Sequence, residues 1–182
     1  MNSLKPNRIL KLVNQINTQV PAFLRSTVLS LAFNSQIKYA GTTGIAIQKW
    51  TSNEAVVSLK NRRRVQNHLK GVHATAMATL AESATGMVFG AHVPDSHLPV
   101  LKSLKVNYQK LAKGNLTAVA TISSEQIHEI QTQDRGSVIV PVTVTDEDNN
   151  QPIAVEMEWA WTAKKKKQYK EAIIEETNPV YA

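Results

Sequence analysis

The sequence predicts an α+β domain in which one long helix packs against a curved antiparallel sheet. Two observations favour this fold class: an Ala-rich run over residues 73–93 without a proline, and several later runs in which apolar and polar residues alternate. The long helix is apolar on several faces, so only a sheet that wraps around it could bury them all. A chain of 182 residues has the usual length of a single domain.

Two further helices are expected at the start of the chain, within residues 7–34. Apolar residues keep helical spacing on both sides of Pro21, which suits the first turn of a second helix. Two amphipathic helices that cover a sheet are a simpler interpretation than a membrane-surface or partner-binding element, so we assign these helices no function. We divide the domain into a helical extension at 1–40, a core at 41–165 and a polar tail at 166–182.

The strands are predicted from β-rich runs separated by turn residues. The first two flank a polar turn and predict a hairpin, and the last is expected to point Trp159 and Trp161 toward the core. Pro141 lies inside a predicted strand, where its missing N–H indicates an edge or a bulge. The six predicted strands cover residues 45–50, 55–59, 103–108, 116–122, 138–144 and 153–161.

Composition and motifs exclude several classes of function. The chain has no cysteine, which excludes disulfides, thiolate metal sites and cysteine nucleophiles, and its five histidines form no helical pair beside a carboxylate. Glycine-rich phosphate loops and the GxSxG motif are also missing, so we expect neither metal nor cofactor. No apolar run approaches the roughly 20 residues of a spanning helix, and no signal-peptide pattern occurs, which favours a cytoplasmic protein without membrane contact.

One segment could carry chemistry: the polar turn around Gly71 and the helix that follows it. The helix is expected to begin at about His73, so the N–H of Ala74 would point out of a helix N-terminus and could polarise a carbonyl. Glu82 lies among small apolar residues of the same helix, where burial would raise its pKa, as a general base requires. The alternative, that Glu82 reaches solvent or an N–H partner, stays open.

The spacing of these residues resembles that of hotdog-fold acyl-CoA thioesterases. The run Asn67-x3-Gly71-x-His73-Ala74, followed by Glu82, is similar to the phenylacetyl-CoA type, in which Asn, Gly, His-Gly-Gly and Asp or Glu occur at that spacing. The resemblance covers residues 41–165 and implies a hotdog fold and an acyl-CoA substrate. It further implies that Glu82 is the base or nucleophile. Asn67 would place the water or substrate, the Ala74 N–H would hold the thioester oxygen, and His73 would orient the turn.

Two departures from the family pattern bear on the site. Ala74-Thr75 stands in place of Gly-Gly, although an alanine still donates its N–H to an oxyanion. Where some relatives present a hydroxyl on a strand, this chain has Leu101, with Ser103 as the nearest substitute. We therefore add Ser103 and Gly71 to the expected substrate-binding residues.

Helix geometry predicts that the site is shared between two chains. At about 100° per residue, the nine steps from His73 to Glu82 turn the helix by about 900°, which places the two on opposite sides. A two-fold dimer would bring Glu82 of one protomer to the helix N-terminus of the other, an arrangement that hotdog thioesterases resemble. We expect a homodimer with composite active sites, or a tetramer built from it.

The net charge of +7 is concentrated in two basic runs, Arg62-Arg63-Arg64 and residues 164–167. Each is either a solvated charged segment or a site for the phosphates of CoA, and we favour Arg62, Arg63 and Arg64 because they precede Asn67. Nucleic acid is disfavoured because the chain is poor in aromatic residues and has no helix-turn-helix pattern. The leading hypothesis is thioester hydrolysis, and the alternative is a non-catalytic acyl-CoA binding module.

Overall fold

A computed structural model describes residues 6–164, so the expected polar tail at 166–182 lies outside the described residues. The helices and strands follow one another in an α+β order, as the sequence predicts. They are α1 (Arg8–Gln19), α2 (Ala22–Gln36), α3 (Lys38–Thr43), β1 (Ala46–Trp50), β2 (Glu54–Leu59), α4 (Ala74–Gly90), β3 (His97–Tyr108), β4 (Leu116–Thr121), α5 (Ser124–Thr132), β5 (Arg135–Ile139), β6 (Val142–Asp146) and β7 (Ile153–Ala163).

The strands form two antiparallel groups, in the spatial orders β1-β2-β4-β6 and β3-β7-β5. The chain passes from one group to the other at Pro141, between β5 and β6. The N–H of Val140 donates to the Met157 carbonyl at 3.0 Å, and the N–H of Thr121 donates to the Pro141 carbonyl at 3.2 Å. The single strand predicted at 138–144 is therefore two strands, and the irregularity expected at Pro141 is confirmed.

Helix α4 lies against this sheet, and most of its residues are buried. Trp159 and Trp161 face it from β7, as predicted. The Trp159 ring stacks on Phe89 with 5.4 Å between centroids, and its Nε1 donates to Thr85 Oγ1 at 2.9 Å. A Cβ on Gly86 would come within 2.9 Å of the same ring. The small residue at this position therefore lets the strand approach the helix.

Helix α1 is fixed to the end of α4 by one buried side chain. Asn7 caps α1 through its Oδ1, which accepts the N–H of Leu10 at 2.9 Å. Its Nδ2 donates to the carbonyls of Gly90 and Val93, both at 2.7 Å. Asn7 is 7% exposed, so these bonds satisfy backbone carbonyls at a helix end that water does not reach.

Helix α2 covers the free edge of β1. Ser26 Oγ donates to the Ile47 carbonyl at 2.6 Å, and the Ile47 N–H donates to Ser30 Oγ at 2.8 Å. Asn34 Nδ2 donates to the Ile45 carbonyl at 2.9 Å. Side chains of α2 thus replace the strand that β1 lacks on this side, which protects the edge from pairing with another chain.

Two helices were not predicted. Helix α3 spans residue 40, where we expected the extension to end, and α5 follows β4. A capping box begins α5, in which Ser123 Oγ accepts the N–H of Gln126 and Gln126 Oε1 accepts the N–H of Ser123. None of the helices within residues 6–164 is both long and apolar enough to cross a membrane.

Candidate active site

A histidine caps the first turn of α4. His73 is the residue before Ala74, and its Nδ1 accepts the N–H of Thr75 at 3.2 Å and lies 2.8 Å from Thr75 Oγ1. Because Nδ1 accepts, the ring proton of neutral His73 belongs on Nε2. The helix begins where the sequence predicts. The Ala74 N–H belongs to the same exposed turn, where the positive end of the helix dipole lies.

The loop before α4 is closed by Asn67. Its Oδ1 accepts the N–H groups of Leu69 at 2.9 Å and Gly71 at 3.2 Å, and its own N–H donates to the Gly71 carbonyl at 2.9 Å. Lys70 completes the turn with a φ of 62°. Since Oδ1 is used within the loop, the Nδ2 amide is the part of Asn67 that can serve a substrate or a water molecule.

Tyr108 ties the sheet to this turn, a contact that the sequence analysis missed. Its hydroxyl, at the end of β3, donates to the Ala74 carbonyl at 3.0 Å. The sequence predicts only a strand over residues 103–108, and Tyr108 is its last residue. A hydrogen bond between elements separated by 34 residues has no local signal in the sequence.

The arginine cluster lies beside the same turn. Arg62, Arg63 and Arg64 are exposed, and the next residue, Val65, accepts the N–H of His73 at 2.8 Å. The Arg64 guanidinium packs over Gly44, where a Cβ would overlap it. Arg62 and Arg63 are therefore better placed than Arg64 to meet a ligand.

Glu82 occupies a different environment, near the middle of α4. It is half-buried, and burial raises the pKa of its carboxyl above the ordinary value. Within residues 6–164, this carboxylate has neither an ion-pair nor a hydrogen-bond partner. The expectation of an apolar setting and a raised pKa is confirmed.

Glu82 lies in the wall of a cavity of about 370 Å³. The cavity is partly open to solvent and is lined by α4 on one side and by α1, α2 and α3 on the other, with contributions from β1, β3 and β7. The amphipathic patterns of α1 and α2, to which we assigned no function, do not reveal their part in this cavity. The residues that α4 contributes are Thr79, Glu82, Ser83, Gly86, Met87 and Gly90.

A single chain does not bring all the expected site residues together. Asn67, Gly71, His73 and Ala74 gather at the first turn, and none of them lines the cavity that contains Glu82. Because α4 is one continuous helix, His73 and Glu82 are separated by about 13 Å along its axis.

Ser103 lies apart from both groups of residues. It is half-buried on β3, opposite Glu158 of β7, after an irregularity in the pairing that follows Leu101. It does not line the cavity, to which β3 contributes Pro99. No three His, Asp or Glu side chains of the described residues are grouped so that they could hold a metal ion.

A family model described as "Domain of unknown function (DUF4442)" matches residues 25–162. The chain belongs to this DUF4442 family. The match begins inside α2 and ends within β7, so it includes α4 and the residues of its first turn. A search of the curated proteins found no match.

Solved structures similar to this DUF4442 domain include several thioesterases. A Pseudomonas aeruginosa protein of unknown function described as "Probable Thioesterase" is 17% identical, with a TM-score of 0.68 over 76% of this chain and 95% of that one. A mutant thioesterase of the same organism is 16% identical, with a TM-score of 0.61 over 74% and 94%. A thioesterase of Haemophilus influenzae is 13% identical, with a TM-score of 0.59 over 71% and 86%.

These similarities confirm the predicted fold. The DUF4442 domain has the hotdog fold, in which the curved antiparallel sheet wraps around α4. At such low identities the likeness reaches no further than the fold.

Proposed function

We propose that this protein hydrolyses an acyl-CoA thioester, with Glu82 as the base that activates water or as the nucleophile. The observation that carries the proposal is a half-buried carboxylate that no described cation or N–H group compensates. Such a group costs stability, and carboxylates with raised pKa values are concentrated at functional sites. The thioesterase names of structures that share the fold support the same reaction class.

The proposed site is shared by two protomers, because Glu82 and the first turn of α4 are too far apart in one chain to meet the same carbonyl. The strand β3 supports a dimer. It lies at the edge of its sheet and carries Leu98, Val100 and Leu104, which are 42–49% exposed. A long apolar edge strand is a ready surface for pairing. Two-fold pairing along β3 would set Glu82 of one protomer against the first turn of its partner.

Each residue of the first turn has a distinct proposed role. The Ala74 N–H stabilises the oxyanion that forms on the thioester carbonyl, and Asn67 Nδ2 donates to the substrate or to the attacking water. His73 positions the turn through its cap on Thr75, and Gly71 closes the loop that holds Asn67. The reaction needs neither metal nor cofactor.

Substrate binding involves residues outside the first turn. Arg62 and Arg63 attract the CoA phosphates, with a smaller contribution from Arg64, which packs over Gly44. Ser103 stays a candidate for substrate contact because it lies on the strand along which the dimer would form.

The deciding experiment is a hydrolysis screen over short-chain, long-chain and aryl CoA thioesters, with release of free CoA thiol as the signal. We expect turnover by the wild type and a loss in kcat of at least about a hundredfold in Glu82→Gln, the scale on which a positioned base or nucleophile contributes. Glu156→Gln, at an exposed carboxylate on β7, serves as the matched control. Wild-type hydrolysis by a folded Glu82→Gln protein removes Glu82 from the mechanism. Binding of acyl-CoA without turnover would instead indicate the non-catalytic module.

A further inference from the structure

The cavity beside Glu82 has walls suited to an apolar chain. Of the described residues that line it, Glu82 is the only Asp, Glu, Lys, Arg or His. The helical extension supplies much of the apolar surface, including Ile9 and Leu12 from α1 and Leu29 and Phe33 from α2. A volume of about 370 Å³ lies within the range of small-molecule sites.

The cavity follows the axis of α4 from Thr79 to Gly90, and the part beyond Glu82 is the part available to a chain that starts there. Glu82 and Gly90 are eight positions apart and both line it, which gives this part a length of about 12 Å at the helical rise. An extended hydrocarbon chain advances by roughly 1.25 Å per bond at ordinary carbon bond lengths and angles. The distance from Glu82 to Gly90 therefore corresponds to about ten carbon atoms.

Ile9 lies at the far end of the cavity, beside Gly90. A Cβ on Gly90 would first meet Ile9 Cδ1, at 3.9 Å, so this side chain faces Gly90 across a small gap. The position of Ile9 is fixed by the preceding cap, because Asn7 donates to the carbonyls of Gly90 and Val93. The start of α1 thus sets the length of the cavity.

We propose that the helical extension forms the acyl site, in which α1, α2 and α3 hold an unbranched aliphatic acyl chain of about ten carbons against α4. This inference rests on the proposed function, because it places the thioester carbonyl at Glu82. The chain would run from there toward Gly90 and Ile9, while the nucleotide of CoA stays outside, since the described lining residues include no Lys or Arg for its phosphates.

Chain-length dependence tests the proposal in two separate measurements. The first is the affinity of Glu82→Gln protein for acetyl-, hexanoyl-, decanoyl-, hexadecanoyl- and phenylacetyl-CoA by calorimetry. Affinity should rise by roughly fourfold for each added CH₂ that becomes buried, and should stop rising near ten carbons. The second is the ratio of kcat/KM for decanoyl-CoA to that for acetyl-CoA in active protein.

Two Leu→Trp variants make a matched pair for the second measurement. Leu12 lines the cavity, whereas Leu24 on α2 is similarly exposed and does not. Leu12→Trp should lower the decanoyl-to-acetyl ratio by at least about tenfold, because an indole occupies space that the chain needs. Leu24→Trp should keep the wild-type ratio.

The outcomes separate this inference from the proposed function. Affinity that is independent of chain length, tightest binding of the phenylacetyl ester, or equal ratios in the two variants would overturn the aliphatic site, even if Glu82 is essential for hydrolysis. Conversely, chain-length-dependent binding without hydrolysis of any ester would retain the acyl site and reject the hydrolase.

Discussion

The two regions of the proposed active site, the first turn of α4 and the surroundings of Glu82, differ in how the chain forms them. At the first turn of α4, most contacts are local: His73 caps Thr75, and Asn67 closes a loop that ends at Gly71. The exception is Tyr108 of β3, whose hydroxyl donates to the Ala74 carbonyl. Around Glu82, the walls come from helices that begin 44 to 74 residues earlier in the sequence. A short motif can therefore specify the first turn, whereas the environment of Glu82 exists only when the helical extension is packed.

The largest expected effect tests whether these two regions work across a dimer. Asn67→Ala and Glu82→Ala homodimers should both be nearly inactive, because every site loses one essential group. When the two variants are unfolded together and refolded, about half of the dimers are hybrids with one intact site of two. Activity should then recover to roughly a quarter of the wild-type value, measured by hydrolysis of the best CoA ester.

One outcome of the hybrid experiment would contradict the shared site. If both variants fold, are inactive alone, and remain inactive in hybrids verified by mass spectrometry, both regions act within one protomer. The approximately 13 Å separation along α4 would then have to be bridged by a rearrangement of the chain.

The pH dependence isolates the region around Glu82. Burial raises the pKa of this carboxyl, so hydrolysis should fall about tenfold per pH unit below the raised value. The folded protein also holds the proton more tightly than the unfolded chain does. The stability from this difference is complete below the ordinary glutamate pKa and is lost as pH rises through the raised folded value.

The same linkage predicts the stability of a neutral variant. Glu82→Gln removes a desolvated charge and should raise the melting temperature at about pH 8, by on the order of 2 °C. The gain should vanish below about pH 4, where wild-type Glu82 is protonated too. Glu156→Gln, at an ion-paired and exposed carboxylate, should show no such gain. A Glu82→Gln protein that is less stable than the wild type at pH 8 would mean that the carboxylate has a favourable partner.

The difference between local contacts at the first turn and distant walls around Glu82 explains which features the sequence could predict. The alternation of apolar and polar residues, the Ala-rich run and the motif around His73 are local patterns. They identified the strands, the long helix and its first turn. Helix α5 was missed although Ser123 and Gln126 carry a capping-box signature. The cavity had no such signal, because an amphipathic helix such as α1 shows the same periodicity whether its apolar face meets a sheet or an empty space.

Two glycines on the cavity side of α4 are expected to differ in how their replacement by alanine changes stability. A Cβ on Gly86 would lie 2.9 Å from the Trp159 ring, which Phe89 and Thr85 hold in place. Gly86→Ala should therefore destabilise the protein by about 1–3 kcal/mol. Gly90→Ala meets nothing closer than 3.9 Å and should stabilise it by up to about 1 kcal/mol, since glycine disfavours a helix. Chemical denaturation measures both, and equal effects would contradict this account of the packing.

The smallest expected effect concerns the arginines beside the first turn. Arg62→Gln and Arg63→Gln should each raise KM for CoA esters by a few-fold at low salt, because each removes one attraction to the phosphates. The effect should shrink at high salt, where exposed charges are screened. Arg135→Gln, at the exposed first residue of β5, is the control and should leave KM unchanged.

Arg64→Gln tests whether Arg64 differs in role from Arg62 and Arg63. The Arg64 guanidinium packs over Gly44 at the end of α3, so its loss should lower the melting temperature more than it raises KM. Arg62→Gln and Arg63→Gln should raise KM more than they lower the melting temperature. If all three variants leave KM unchanged at low salt, the cluster is a solvated surface and CoA is bound elsewhere. In that case the first turn of α4 would act on the thioester without guiding its nucleotide.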